Sequence, residues 1–461
     1  MQEVNEIVER LRSGTTAEDL VQYAKFGDLP MQLAVTLEKC FYPSLGDVLT
    51  IPDFFEFDGN PYVGSRVHWR KTNPTLPCNA QNGFTTWTAA MYNAPYHTAQ
   101  LVDDGIDIST LSKWTSVAVS DVILRDILRL YFTSVYAFLP FLHKDYSLHD
   151  MINGRQPLCS SLLVNSILAA GCRAYNQLPR RSRFWDPSSL HHLFLAEARR
   201  LHDLQVDSKC LTKIQADMIL HLEYGMIGQD KIGWSFCYQA VSTAQQMGLF
   251  GPPREIKPGF RSVSRGRPCF GGIFVFIRQQ SRQQSSELVA RAKICIRTLL
   301  RLYYGSHGGE GYDLFTVLLS QYVGFGSLSH IPVPGASSTD AARAAYESDV
   351  ILSARILHDQ SQMAYLSGMV LRVLRSNLPP ATAHQMSRFM TLNDAKDEEI
   401  AANEAQALTE WPIDNVMPTA SRDDRRLGNS LHAITSYNET TSGENDSVIE
   451  SQDEANMSKD S

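Results

Sequence analysis

The sequence lacks the short cysteine spacings that build zinc sites. Its eight cysteines are widely scattered, and no CxxC pair occurs anywhere. A structural zinc ion needs thiolates or imidazoles that such local spacings bring together. We therefore expect no metal ion or other cofactor in this chain. Scattered cysteines without a secretory signal fit a reducing compartment, so we also expect free thiols.

The sequence also lacks a secretion signal and a membrane-length hydrophobic run. The N-terminal stretch MQEVNEIVERLRSG is charged and has no apolar core. No window of about eighteen uninterrupted apolar residues occurs, so no membrane partner is expected. The formal net charge is −7, which excludes the strongly basic class of general polyanion binders. The expectation is a soluble intracellular protein.

The motifs of common enzyme classes are absent as well. There is no HExxH helix and no GxSxG turn, and His221-x-Glu223 lacks the PCxxC that completes a zinc deaminase signature. Asp103 and Asp104 precede a glycine in a predicted loop, and we interpret them as carboxylates that are exposed to solvent. One predicted helix carries several potential metal ligands, and the simpler interpretation is that they lie on its surface. They are His191, His192, Glu197 and His202. We expect no catalytic residues, and the chain is not predicted to be an enzyme.

Hydrophobic residues make up 43% of the chain and recur at helical spacing between Ser120 and Phe250. In the first segment the repeat is Leu124, Ile127, Tyr131 and Val135, and a period near 3.6 indicates amphipathic helices. The pattern predicts helices at 121–139, 159–174, 188–204, 211–227 and 232–247, then at 286–304 and 383–411, and one long helix or two stacked helices at 340–374. Short connections favour antiparallel neighbours. The predicted fold is all-α, a compact array of antiparallel helix pairs.

Composition divides the chain into four parts. Residues 1–41 predict two short helices, and residues 42–118 form a proline-rich irregular linker. Residues 119–411 are the helical domain, in which the glycine-rich stretch 305–311 is predicted to be a flexible connection. Residues 412–461 are an acidic tail with too few apolar side chains to offset the entropy of ordering, so we expect disorder there.

Three stretches of the helical domain resemble the middle homology region, or regulatory domain, of fungal-specific transcription factors. They are YF-x4-AFLPFLHKD from Tyr131, PLCSSLLVNSILAAGCR from Pro157 and QQMGLF from Gln245. LRSGTTAEDL and WTSVAVSD are similar to the nitrogen-assimilation and xylanolytic regulator branch. The resemblance implies a zinc binuclear cluster that binds DNA, but this chain lacks that cluster. We therefore expect DNA contact only through a missing zinc-cluster module or through a partner.

The resemblance further implies regulation of RNA polymerase II transcription in a fungal nucleus. The implied mechanism is an equilibrium between silent and active helix packings that an effector biases. The expected partners are the transcription machinery or a co-regulator, a small-molecule inducer and a second copy in a homodimer. The alternatives are a helical biosynthetic enzyme of a metabolite cluster and a cytoplasmic helical scaffold.

Aromatic and polar side chains in or beside the core helices are the candidates for an effector pocket. Such a pocket between helices would have apolar walls with a few polar tips. The candidates are Tyr131, Tyr136, Phe141, Asn165, Trp234 and Tyr238. Core packing is the simpler interpretation of most of the aromatic side chains in this region.

A basic run lies between Arg254 and Arg301, where eleven lysines and arginines stand against two acidic residues. The simpler interpretation is a solvated helix face; the functional alternative is a contact to an acidic partner or to the chain's own acidic tail. Within this run, residues 251–285 depart from the family pattern through divergence or a splicing error. The basic-patch candidates are Arg261, Arg265, Arg267, Arg278, Arg291, Arg297 and Arg301.

Overall fold

The computed structural model describes seven longer stretches of the chain and several short ones. The longer stretches are residues 45–56, 60–63, 103–205, 209–250, 286–309, 311–331 and 340–390, and the short ones are 33–35, 99–101, 409, 426–427 and 429–431. The predicted N-terminal helices, most of the proline-rich linker, the divergent segment 251–285 and the acidic tail from residue 432 on lie outside these residues.

The regular secondary structure of the described residues is helical except for one small ribbon, which confirms the all-α class. In the ribbon, β1 (Leu33–Val35) pairs antiparallel with β2 (Ala99–Leu101). None of the described helices is long and apolar enough to cross a membrane. The helices in chain order are α1 (Gly46–Leu49), α2 (Asp104–Asp107), α3 (Asp121–Ser134), α4 (Lys144–Asn153), α5 (Ser161–Cys172), α6 (Leu190–Asp203), α7 (Leu211–Met226), α8 (Asp230–Gln246), α9 (Ser286–His307), α10 (Leu314–Leu328), α11 (Asp340–Ser361), α12 (Tyr365–Ser376) and α13 (Pro380–Ser387).

The helices predicted between residues 121 and 247 are confirmed as α3, α5, α6, α7 and α8. The first ends at Ser134 instead of residue 139, and turns lead from there toward Pro140. Helix α4 was not predicted, since its sequence KDYSLHDMIN has only a weak apolar stripe. It ends at Gly154, whose φ of 65° is the left-handed conformation that glycine adopts at helix ends.

Side-chain caps fix the starts of several helices. The Ser160 hydroxyl accepts from the Leu163 N–H at α5, and the Ser189 hydroxyl accepts from the His192 N–H at α6. Asp103 caps α2 in the same way and pairs with Lys144 on α4. Asp103 is therefore a half-buried structural carboxylate, and its prediction as a solvated loop residue was wrong.

Helix α5 is the centre of the first half of the domain. All its residues from Leu162 to Cys172 are buried, and it packs against α3, α6 and α7. At Gly171 a Cβ would lie 2.5 Å from the Ile127 carbonyl oxygen, so the α3–α5 contact requires glycine. Helices α7 and α8 form the most extensive pair, joined by a link in which Gly228 has a φ of 72°.

The second half packs α10 on α11 and α11 on α12. One hydrophobic cluster extends from Leu124 on α3 to Leu374 on α12, and α12 contacts α7, so the two halves share a core. The predicted helical stretch 340–374 is two helices. The second of them, α12, ends at Ser376, and Pro380 begins α13, as proline does in a first turn.

The glycine-rich connection before α10 is held in place in its described part. The Gln360 side chain donates from Nε2 to the Gly309 carbonyl at 2.9 Å and to the Gly311 carbonyl at 2.6 Å. The prediction of a flexible connection was wrong here, because a buried amide on α11 supplies partners for the loop backbone.

Candidate functional site

A buried polar cluster joins the first half of the domain to the second. Arg173, at the end of α5, donates from Nε to Glu223 Oε2 on α7 at 3.0 Å, and its Nη2 lies 2.9 Å from the same oxygen. His191 Nε2 on α6 is also 2.9 Å from Glu223 Oε2. Arg173 Nη1 reaches the carbonyl of Met363, between α11 and α12, at 3.4 Å. We call Arg173, His191 and Glu223 the Arg173 network.

The network stays charged despite its burial. Burial alone raises the pKa of Glu223, but the Arg173 guanidinium and the His191 hydrogen bond outweigh this effect and lower the pKa to about 2. Burial, together with the Arg173 charge, lowers the pKa of His191. At neutral pH the network therefore holds one ion pair and a neutral imidazole, whose Nε2 proton is donated to Glu223.

A second buried cluster links α6 to α7. Lys213 Nζ lies 2.9 Å from His202 Nε2 and 3.2 Å from Asp217 Oδ2. This cluster lies beside a groove of about 460 Å³ between α6 and α8. In the groove Arg199 pairs with Asp203 at 3.3 Å. Each cation of this groove thus has a carboxylate partner.

The expectation of surface histidines on α6 was wrong for two of them. His191 and His202 are only 3% and 5% exposed, because charged groups of α7 pair with them inside the domain. His192 is half-buried against the Phe184 carbonyl, and Glu197 pairs with Arg200 at 2.8 Å. Residues that local spacing places on a helix surface become buried when another helix supplies their partners.

The described residues do not form a zinc site. Among them no group of three or more His, Cys, Asp or Glu side chains could hold a metal ion. Five cysteines are seen as free thiols, and burial raises the pKa of Cys159 to about 12 and raises the pKa of Cys172 as well. Isolated, protonated thiols do not fit the zinc binuclear cluster that the family resemblance implied.

A third buried cluster lies between α9 and α11. Arg297 and Arg301 of α9 both pair with Asp349 of α11, and the Ser327 hydroxyl donates to Asp349 Oδ2 at 3.0 Å. Burial lowers the pKa of Arg301, and the neighbouring Arg297 charge adds to this effect against the opposing pull of Asp349. Two guanidinium groups thus share one carboxylate.

A cleft of about 580 Å³ opens beside these arginines, between α9, α10 and α11. The Arg297 guanidinium forms its floor and lies 4.6 Å from the ring centres of both Phe55 and Tyr346. The side chains that shape the cleft are Phe54, Lys293, Arg297, Tyr322, His330 and Tyr346. We call this space the α9–α11 cleft.

The predicted effector-pocket residues do not meet in one cavity. Tyr131, Phe141 and Asn165 are buried in the core, where Asn165 Nδ2 donates to the Trp114 carbonyl at 3.0 Å as a structural clamp. Tyr136 is half-buried and its ring centre lies 5.2 Å from that of Phe132. Trp234 and Tyr238 lie on the outer face of α8, 38% and 69% exposed.

The predicted basic patch divides in a similar way. Arg261, Arg265, Arg267 and Arg278 lie outside the described residues. Arg291 is exposed, whereas Arg297 and Arg301 are 7% and 1% exposed and paired with Asp349. The latter two therefore do not belong to a solvated basic face. One sequence feature could have indicated that these two arginines are paired inside the domain. Asp349 is a charged residue within the buried apolar run of α11.

Comparison with known proteins finds a family model that matches part of the helical domain. Residues 128–292, from α3 through α8 into α9, match the fungal specific transcription factor domain. This part of the chain is therefore similar to that domain, and the resemblance seen in the sequence is confirmed.

The curated relatives are transcription regulators of filamentous fungi. The chain is similar to the nitrogen assimilation transcription factor nit-4 of Neurospora crassa, 28% identical over 182 residues that cover 37% of this chain and 16% of the relative. It is 27% identical over 172 residues to the nitrogen assimilation transcription factor nirA of Emericella nidulans, covering 36% and 19% of the two chains. It is 32% identical over 123 residues to the notoamide biosynthesis transcriptional activator notL' of Aspergillus versicolor, covering 26% and 19%.

The matched region is thus less than a fifth of each relative. No solved structure matches the chain. The family model and these three relatives are named for transcription factors and a transcriptional activator, and none of these names describes an enzyme.

Proposed function

We propose that this chain regulates transcription in a fungal nucleus and that its helical domain is the part that responds to an effector. The proposal rests on the family match at residues 128–292, supported by relatives whose names describe transcription factors and a transcriptional activator. Contact with DNA is assigned to a separate zinc-cluster module or to a partner protein, because the cysteine spacings of this chain do not build the cluster. The machinery of RNA polymerase II, or a co-regulator, is the expected target.

The proposed mechanism is a change in how the matched helices pack on the C-terminal helices. The Arg173 network lies at this junction, where it connects α5, α6 and α7 to the turn before α12. A packing in which Arg173 or Glu223 loses its partner leaves a buried charge unpaired, and such a packing is strongly disfavoured. The ion pair therefore makes the free-energy difference between two packings of the helices large. An effector that binds one arrangement more tightly shifts the population toward it.

The test is to tag the full chain at its chromosomal locus and to delete the gene in a second strain. We expect nuclear fluorescence, enrichment of the tagged chain at a limited set of promoters, and changed transcript levels for the genes behind them in the deletion strain. A cytoplasmic protein without promoter enrichment, together with an unchanged transcriptome, would exclude the proposal and favour a helical scaffold.

A further inference from the structure

We propose that the α9–α11 cleft binds a small organic anion with an aromatic or other flat apolar body. The site is separate from the residues that sequence patterns indicated for an effector pocket. Anion binding is argued from the side chains of the cleft alone. A role of that binding in regulation rests on the proposed function.

The charge balance of the cleft is the first reason. Lys293 lies one helical turn before Arg297 on α9, and both side chains line the cleft. Arg297 and Arg301 share the single carboxylate of Asp349, and among the described residues no carboxylate pairs with Lys293. Glu347, close by on α11, is engaged with Arg343 at 3.0 Å. The cleft thus carries a surplus of positive charge.

Burial makes this surplus significant. A positive charge that is removed from water and not fully matched by negative charge is costly, and a bound anion relieves that cost. Three aromatic rings, of Phe54, Phe55 and Tyr346, lie within 5.5 Å of the Arg297 guanidinium and offer only a weak cation–π substitute. A carboxylate or sulfonate beside Lys293 and Arg297 would supply the missing charge.

The walls of the cleft determine the rest of the ligand. Phe54 and Tyr322 are 42% and 40% exposed at its edges, and the His330 and Tyr346 rings stack with centres 5.2 Å apart. A flat apolar group that lies against Phe54 and Tyr322 would cover aromatic surface that now faces water. The volume of about 580 Å³ fits a small molecule, and the concave position of the cations between helices does not fit an extended polyanion.

The groove between α6 and α8 provides the contrast. It has a similar size, but Lys213 pairs with Asp217 and Arg199 pairs with Asp203. Its charges are balanced internally, so it offers no comparable preference for an anion.

The experiment titrates the purified full chain with anilinonaphthalene sulfonate, an anionic fluorescent probe, and with the neutral analogue phenylnaphthylamine. We expect saturable binding of the anionic probe at least about tenfold tighter than that of the neutral one, the factor expected of one charge-assisted contact. Lys293→Met should remove about this factor for the anionic probe and leave the neutral probe unchanged. Lys113→Met, at an exposed lysine of another region, is the matched control.

A second variant blocks the cleft without removing a charge. A Cβ at Gly326, on the α10 wall, meets no atom within 4 Å, so Gly326→Leu projects a side chain into the open space. It should abolish binding of both probes in the cleft while the thermal unfolding midpoint does not fall. The control is Gly225→Leu on α7, where a Cβ also meets nothing within 4 Å.

The inference is overturned if Lys293→Met and Gly326→Leu bind the anionic probe as tightly as the natural chain, or if the neutral probe binds equally well. Probe binding is measured without any transcription readout, so its failure does not touch the proposed function. Conversely, if the tagged chain were absent from the nucleus and from promoters, a regulatory role of the site would be excluded. The proposal that the cleft binds an anion would be unaffected.

Discussion

Arg173 and Glu223 form an ion pair 2.9 Å apart whose side chains are 0% and 3% exposed, at the point where α5 and α7 meet the turn before α12. Burial of a matched pair adds little net stability, because desolvation offsets most of the attraction. The loss of one partner is different, since it leaves a buried charge without compensation. The pair therefore favours one packing of the two halves over others.

The first prediction concerns removal of this carboxylate. Glu223→Gln should lower the free energy of unfolding by about 3–5 kcal/mol, because Arg173 stays buried and charged. Urea denaturation followed by circular dichroism measures the change. Asp203→Asn, which breaks the exposed Arg199–Asp203 pair, is the control and should cost less than about 1 kcal/mol. Equal effects of the two substitutions would contradict the assigned role of the Arg173 network.

The second prediction is a loss of stability in acid. Glu223 has a folded pKa of about 2, below its ordinary value of 4.5, so the unfolded chain binds more protons as the pH falls through this interval. The pKa of His191 is lowered from 6.5, and its unfolded form likewise takes up a proton first. Stability should therefore decline from about pH 6.5 downward, and further below pH 4.5.

The contribution of His191 to this decline is separable. His191→Gln removes the imidazole, so the free energy of unfolding should change less between pH 6.5 and 5 than it does in the natural chain. His149→Gln, at an exposed position of α4, is the control substitution. Parallel pH profiles for the natural chain and the His191→Gln variant would show that folding does not lower the pKa of His191.

The third prediction tests the close contact of α3 with α5. Gly171→Ala places a Cβ 2.5 Å from the Ile127 carbonyl oxygen, so the helices must separate, at a cost of about 1–3 kcal/mol. Gly225→Ala, where a Cβ meets nothing within 4 Å, should be neutral or slightly stabilising because alanine favours helix. Thermal unfolding of the two variants distinguishes these outcomes, and a stabilised Gly171→Ala protein would refute the contact.

The fourth prediction concerns thiol reactivity. Cys159 and Cys172 are 1% exposed and burial raises both pKa values, so they should react slowly with a thiol reagent in the folded chain. Cys210 and Cys295 are half-buried and should react sooner. Mass spectrometry of peptides after short labelling identifies each site, and denatured protein gives the fully labelled reference. Early labelling of Cys172 would contradict the packing of α5.

Apolar periodicity was enough to predict α3, α5, α6, α7 and α8, because each packs apolar side chains at helical spacing into a common core, but it missed α4. It was not enough for the polar clusters. His191 finds Glu223 on another helix, and Arg301 finds Asp349 on α11, so their burial depends on partners that are distant in the sequence. Spacing also identified Trp234 and Tyr238 as aromatic helix positions without showing that this face of α8 points outward.

The most direct test of the central proposal is a tethering experiment in a fungal host. The full chain is fused to an unrelated DNA-binding domain upstream of a reporter gene, beside the same DNA-binding domain alone. We predict that the fusion changes reporter output, and that Glu223→Gln at matched protein abundance shifts that output. Reporter output equal to that of the DNA-binding domain alone, for both the natural chain and the variant, would contradict the proposal.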